Sequence, residues 1–533
     1  MDIVFATPPP LATSLRTAIR DSCREDETEA VARILAAAEI PAEMRDRIAE
    51  KARGFVAAVR RQRLGKGGID AFLHEYALSS PEGVALLCLA EALLRIPDAE
   101  TVDRLIRDKI GEADWERHLG RSESIFVNAS TWALMLTGRL LRAAPTAHDL
   151  GTALRRFAAR SGEPVVRQAA TTAMHILGRQ FVIGRTIEEA LGRASDAEQR
   201  GYRHSYDMLG EAAHTAADAA GYAAAYDSAI AAIGRTSGHR AVAEAPGISI
   251  KLSALHPRYE MAQRERVLAE LSPVLLDLAR HTRKVGISLT IDAEEVDRLD
   301  LSLDLFEALA LAPDLAGRDG LGLAVQAYQK RALQVIEWLA DLARRSGRRL
   351  MVRLVKGAYW DNEIKRTQER GLDGYAVYTR KVATDVSYLA CARRLLDFGP
   401  VFYPQFATHN AHTVAAVLDL AGERQDYEFQ RLHGMGEALY ERSPGRSWRI
   451  GRAACTHRSA IMRICSPTWC GGCLRTAPTP PSSIASSTRR SRSTRSSPIR
   501  SPTWPDCGQS LIRASRCHAT SLARRGKIRA GST

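Results

Sequence analysis

From Tyr202 to Glu441 the chain repeats one alternation: a short β-rich run, then a longer amphipathic stretch. The runs are YRHSYDML from Tyr202, ISIKLSAL from Ile248, ISLTIDAE from Ile287, LGLAVQAY from Leu321, LMVRLVKGAY from Leu350, VFYPQFATHN from Val401 and YEFQRLHGMG from Tyr427. Between them lie segments such as RERVLAELSPVLLDLARHTRKVG and KRALQVIEWLADLARRSG, whose apolar residues recur at helical spacing. Repeated strand–helix units predict a parallel sheet. Seven units favour a closed β/α barrel over an open doubly wound sheet. No GxGxxG follows the first strand, which also counts against a Rossmann domain.

The N-terminal part reads differently. Residues 11–120 are rich in Ala, Leu, Arg and Glu, with EAVARILAAAE and GVALLCLAEALLR as helical stretches and IPAEM and SSPEG as turns between them. The expected domains are a helical arm and the start of a helical domain over 1–122, a helical lead-in over 123–200, the barrel over 201–441 and a tail over 442–533. No basic strand–helix–helix unit or zinc-finger spacing is visible, so no DNA-binding module is expected before the barrel. No run reaches the roughly 18 apolar residues of a membrane helix. The N-terminus MDIVFATPPP carries no basic region ahead of an apolar stretch. The expected compartment is the cytoplasm.

Barrel enzymes place their chemistry at the C-terminal ends of the strands. Lys251, Asp292, Gln326, Arg353, Tyr359, His409 and His433 all fall in or just after a predicted strand. Any one of them alone reads as an ordinary loop ion pair. Seven polar residues at six strand ends together predict one shared site.

These runs resemble the proline dehydrogenase domain of the bifunctional flavoenzyme family proline utilization A. The resemblance rests on SYDMLGEAA at Ser205, GISIKLSALHPRYE at Gly247, IDAEEVDRLDLSLDL at Ile291, QAYQKRA at Gln326, RLVKGAYWDNEIKR at Arg353, YTRKVATDVSYLACARRLL at Tyr378, YPQFATHNAHT at Tyr403 and HGMGEALYE at His433. FVNASTWALMLTGRLL at Phe126 resembles the helical domain before the barrel. The family's optional ribbon-helix-helix segment is not seen. The resemblance implies FAD on the barrel rim and oxidation of L-proline to 1-pyrroline-5-carboxylate, the first half of a proline-to-glutamate enzyme. It implies cofactor contacts at Gln326, Arg353, Val355, Gly357, Trp360, Thr408 and His409. Catalytic or substrate-side roles fall to Lys251, which would pair with the proline carboxylate, and to Asp292 and Tyr359. No metal is implied. A membrane quinone as electron acceptor, a peripheral place at the inner membrane and a homo-oligomer are options that the family leaves open; specific nucleic-acid binding is not expected.

The resemblance stops near Glu441. The whole chain has 75 Lys+Arg against 61 Asp+Glu, but residues 442–533 hold 18 basic residues and one acid, Asp506, so residues 1–441 carry 57 against 60. Six of the nine cysteines also lie beyond residue 441. The family's eighth strand and a helix bearing an adjacent Arg pair should follow; the chain instead reads RSPGRSWRIGRAACTHRSAIMRICSPTWCGGCLRT. Shifting the frame by one base from Trp469 permits LVRRLLENGANTSFVNRI, which resembles that helix. The segment beyond Glu441 is therefore read as out of frame, with the eighth strand lost, the tail disordered and the downstream aldehyde dehydrogenase domain missing. On that reading Cys470-Gly-Gly-Cys473 is an accidental CxxC and the Arg/Ser tract a nonselected basic tail. Two rivals to an active enzyme follow: an inactive or flavin-binding remnant, and a nucleic-acid binder acting through the tail.

Overall fold

The computed structural model describes residues 13–63 and 182–440, apart from 185, 239 and 318, together with the backbone of 453–459. Three arm helices come first: α1 (Ser14–Asp21), α2 (Glu27–Ala37) and α3 (Ala42–Arg63). A short strand β1 (Val182–Gly184) and α4 (Ile187–Gln199) lead into the alternating part. There β2 (Arg203–Met208), α5 (Ala216–Ser237), β3 (Gly247–Ile250), α6 (Leu252–Leu255), α7 (Arg264–Lys284), β4 (Ser288–Ile291) and α8 (Leu299–Ala310) follow in order. Next come β5 (Leu321–Gln326), α9 (Ala332–Ser346), β6 (Leu350–Val355), α10 (Trp360–Glu369) and α11 (Lys381–Asp397). The last elements are β7 (Phe402–Ala407), α12 (Ala411–Ala421), β8 (Glu428–Leu432), α13 (Glu437–Tyr440) and β9 (Ala453–Ser459). All seven strands expected from the sequence are present, each occupying the first part of its run.

Strands β2 to β8 pair in sequence, all parallel. The expected gap between β8 and β2 is not there. β9 lies between them, pairing Gln430 with Ala454 on one side and Ser205 with Thr456 on the other, and β1 adds to it. The barrel therefore closes with eight strands, which corrects the reading that the eighth strand is lost. The reason is physical: a strand ladder is made by backbone N–H and C=O groups, which AACTHRS supplies as well as any other proline-free run. The two exposed edges flanking the gap demand such a partner.

Local signals set the helices. Thr215 and Asp218 form a reciprocal capping box at the start of α5. Asn410 caps α12 through Thr413. Gly347, left-handed at φ 61°, ends α9. The inner stripe of α9, including Val335, Ile336, Trp338, Leu339 and Leu342, is buried.

Alternation along the strands divides the residues in two. Tyr206, Ile248, Ile250, Leu289, Ile291, Leu323, Val325, Val352, Leu354, Phe402, Phe406 and Phe429 join the apolar core with the helices. Their neighbours Ser205, Ser249, Gln326, Arg353, Gln405, Glu428 and Gln430 are also buried, but polar. Apart from Gln326, which bonds to the rim loops, they hydrogen-bond to one another between strands, so the apolar layer lies between sheet and helices and the barrel itself has a polar interior.

The arm is fastened to the outside of the barrel. Arg16 donates to Asp304 Oδ1 at 2.6 Å and to the Asp300 carbonyl at 2.9 Å, and stacks 5.3 Å from the Trp338 ring. Arg47 and Lys51 of α3 reach Asp419 of α12 at 2.9 and 2.5 Å. Residues 64–180, which include the stretch at Phe126 expected to be a helical domain, lie outside the described residues, as does the tail apart from β9.

Candidate active site at the barrel rim

Three of the sequence-nominated residues meet directly. Lys251 follows β3 and is 7% exposed; Asp292 follows β4; Arg353 lies within β6 and is 5% exposed. Asp292 bridges the two cations, accepting from Arg353 Nη1 through Oδ1 at 2.8 Å and from Lys251 Nζ through Oδ2 at 3.0 Å. Lys251 also donates to Asp207 Oδ1 at 2.8 Å. An ammonium has three N–H donors. Two of them serve the two carboxylates.

Arg353 is more heavily engaged. Its Nε donates to Gln430 Oε1 at 2.8 Å, Nη1 also to Ser249 Oγ at 2.8 Å, and Nη2 to Ser205 Oγ at 2.9 Å. Four of its five N–H groups thus serve the barrel. Below it, Gln430 and Gln405 both donate to Glu428 Oε1, at 2.8 and 2.9 Å. Burial pushes the Glu428 carboxyl up, against the hydrogen bond from Gln430 and the charge of Arg203, 3.9 Å away. A fully buried polar column of this kind is tolerable only where its members are paired.

Gln326, at the end of β5, ties two rim loops together. Its Nε2 donates to the Glu294 carbonyl at 2.8 Å and its Oε1 accepts from Ala358 N–H at 3.4 Å. A small crevice lined by Tyr259, Asp292, Glu294, Arg298, Ala324 and Gln326 opens beside it. A larger groove of about 470 Å³ lies on the outer wall, between α2, α9 and α11, and none of the rim residues lines it.

The loop after β6 holds the next group. Val355 accepts from Ala327 N–H at 2.8 Å. Gly357 adopts φ 131°, and a Cβ there would sit 2.4 Å from the Tyr328 ring, so the glycine is required by Tyr328 packing. Tyr359 caps α10 and accepts from Glu363 N–H. Trp360 is 40% exposed and donates to the Tyr378 carbonyl at 2.8 Å. Thr408 and His409 form a further group after β7. Tyr440 donates to the Thr408 carbonyl at 2.8 Å, and Leu432 N–H donates to His409 Nε2 at 3.0 Å. That bond makes Nε2 the acceptor and places the proton of the neutral ring on Nδ1. Burial, helped by Arg431, drops His409 to about 4. His433, just past β8, is half-buried.

Sequence reasoning missed the support beneath the site: Ser205, Asp207, Ser249, Gln405, Glu428 and Gln430. A signal was present. Polar residues recur at every second position in RHSYD of β2 and EFQ of β8, with the aromatic rings of His204, Tyr206 and Phe429 between them. Among the described residues no cluster of His, Cys, Asp or Glu could hold a metal, and no helix is long and apolar enough to cross a membrane.

Fold and rim together define a parallel β/α barrel with a charged constellation at its C-terminal end, the layout of a barrel enzyme. Residues 190–457 match the family model for proline dehydrogenase, and residues 13–60 match one described as the proline utilization A proline dehydrogenase N-terminal domain. The chain belongs to the proline dehydrogenase family, whose members are flavin-dependent. Residues 68–181 match a model described as the DNA-binding domain of proline dehydrogenase, so a module of that description does precede the barrel, contrary to the sequence expectation. That segment lies wholly outside the described residues. The chain is 55% identical over 437 residues to the bifunctional protein PutA of Escherichia coli K12, covering 81% of this chain and 33% of that protein. It is 51% identical over 452 residues to the PutA of Rhizobium meliloti, covering 83% and 36%. A crystal structure of a mutant proline utilization A from Bradyrhizobium japonicum superposes with a TM-score of 0.62 at 46% identity, covering 85% of this chain and 44% of that one. The chain thus spans about a third of the length of the curated relatives it matches.

Proposed function

We propose that this chain oxidises L-proline to 1-pyrroline-5-carboxylate with FAD held at the barrel rim, the proline-oxidising half of an enzyme like its bifunctional relatives. The observation that carries the reading is the joining of Lys251 after β3, Asp292 after β4 and Arg353 of β6 into one hydrogen-bonded unit. The donor set suits a flavin: Gln326, which lines the crevice, and Arg353, bonded to Asp292 of the same crevice, are both N–H donors. FAD, when bound, supplies the acceptor for the hydride that leaves the proline ring.

The chain's own residues do the rest. The Lys251 ammonium pairs with the substrate carboxylate by charge, while Asp207 and Asp292 hold it in place. Asp292 thereby couples the substrate cation to Arg353, which faces the cofactor. Tyr359 helps line the pocket. Val355 and Gly357 bring backbone to the cofactor, and Trp360, Thr408 and His409 contact it further along. His409 acts as a neutral donor through Nδ1. The domain boundaries at 122, 200 and 441, a quinone acceptor at the membrane and a homo-oligomer belong to the same proposal.

The test is to load the purified chain with FAD and follow proline-dependent dye reduction, beside a version with the reading frame restored after Glu441. Dye reduction by L-proline in either version supports the assignment. Absence of FAD binding and of turnover in both overturns it.

A further inference from the structure

The floor of the barrel holds a carboxyl group that the proposed reaction does not use. Glu428 opens β8, is 4% exposed, and lies in register with Gln405 of β7, which in turn lies in register with Arg353 of β6. One of its oxygens, Oε1, receives two amides: Gln405 Nε2 at 2.9 Å and Gln430 Nε2 at 2.8 Å. The Tyr403 hydroxyl reaches Oε2 at 3.3 Å.

A glutamine amide has a donor end and an acceptor end. Glu428 accepts only, so it takes the donor end of Gln430. The acceptor end must then face the other way, toward Arg353 Nε, which donates to it at 2.8 Å. Turned over, Gln430 would set its own N–H₂ against the Arg353 Nε–H, donor against donor, and leave the Glu428 oxygen short of a partner.

We propose that Glu428 is a positioning residue: by selecting one orientation of Gln430, it holds the Arg353 guanidinium at the angle that it presents to the rim. The relay is Glu428 to Gln430 to Arg353, with no contact between Glu428 and the rim itself. Its consequence for the cofactor rests on the function proposed above; the geometry does not.

The test uses two substitutions of similar length. Glu428→Gln keeps an oxygen able to accept both amides, and Glu428→Met removes it. In the whole chain labelled with ¹⁵N-arginine, the Arg353 Nε–H is the resonance that Arg353→Lys deletes. Its exchange with water is expected to stay slow in Glu428→Gln and to quicken about tenfold or more in Glu428→Met, the scale of one lost hydrogen bond. FAD affinity should weaken about tenfold in Glu428→Met and be restored in large part by Glu428→Gln, with a matching change in the flavin absorption envelope. Should Glu428→Met fail to fold, Gln430→Met breaks the relay one link nearer Arg353 and must give the same faster exchange. Slow exchange in Glu428→Met or Gln430→Met, or equal exchange in Glu428→Gln and Glu428→Met, overturns the relay. If the chain binds no FAD, the functional proposal fails, while Nε–H exchange still decides whether Glu428 positions Arg353.

Discussion

Asp292 is the joint of the candidate site, and replacing it with alanine has a cost that the structure allows to be worked out. The change removes two charge-assisted hydrogen bonds, to Arg353 at 2.8 Å and to Lys251 at 3.0 Å. Bonds of this type contribute about 1.5–3 kcal/mol each. Breaking a buried pair by deleting one partner costs about 3–5 kcal/mol, because a charge is left uncompensated. Two features pull the value to the low end. Lys251 keeps Asp207, and Arg353 keeps Gln430, Ser249 and Ser205. The Asp292 side chain is also 16% exposed, so water can enter in its place. The expected loss is about 3 kcal/mol for Asp292→Ala. Asp292→Asn, which keeps one acceptor of the same shape, should lose less. Urea denaturation followed by near-ultraviolet circular dichroism, without flavin or substrate, measures both. A loss under about 0.5 kcal/mol for Asp292→Ala, the size of an ordinary surface substitution, would show that the ion pairs are not maintained in solution and would refute the bridging role.

Three further outcomes are expected. Gly357→Ala combines φ 131° with a Cβ 2.4 Å from the Tyr328 ring; strain and overpacking of about 1–3 kcal/mol each should lower the urea midpoint, and an unchanged midpoint would deny the close approach. His409 at about 4 lies below its ordinary value, so its contribution to stability is whole above about pH 6.5 and is lost as the pH falls toward 4, when the unfolded chain takes up the proton first. His409→Asn should therefore flatten the pH dependence of stability in that window by up to about 1.4 kcal/mol per pH unit, measured by urea titrations at stepped pH. Thr456→Pro removes a backbone donor from β9, which pairs with both Ser205 and Leu432; a loss of about 3 kcal/mol or more, or aggregation seen by light scattering, is expected, and a wild-type profile would mean that β9 does not close the barrel.

Most of the seven strands expected from the sequence were legible because runs such as GISIK, SLTID and LGLAVQ are apolar or β-branched and end at a polar residue, whereas RHSYD and EFQ show alternation instead. The closing strand was not. AACTHRS has small and polar residues and almost no β signal of its own. What makes it a strand is nonlocal: the open backbone edges of β2 and β8. β1, with three residues, is too short to show a period. At the site, Lys251, Asp292 and Arg353 could be placed together from the rule that barrel chemistry sits at strand ends. Their support could not, because it depends on which side chain turns inward at each register, and that is set by strand stagger around the closed barrel. Gly357 shows the same limit from another side. Its place in the loop after β6 was visible, but the Tyr328 ring that requires it comes from the loop after β5.

The polar interior changes what a substitution at Arg353 can prove. From β6, this one guanidinium reaches Ser205 on β2, Ser249 on β3, Asp292 just past β4 and Gln430 on β8. It cross-links strands on opposite walls of the barrel, where an ordinary barrel would pack branched apolar side chains in layers. Removing it would leave acceptors on four elements short of a donor at once, and unpaired buried polar groups are costly. Loss of flavin on Arg353→Ala would therefore follow equally from a lost cofactor contact and from a loosened barrel. The Glu428 substitutions avoid that ambiguity. They leave the guanidinium and its bonds to Ser205, Ser249 and Asp292 in place and change only the acceptor that Gln430 shares with Gln405 and Tyr403. A cofactor effect produced there, with the fold retained, separates how Arg353 is aimed from whether it is present.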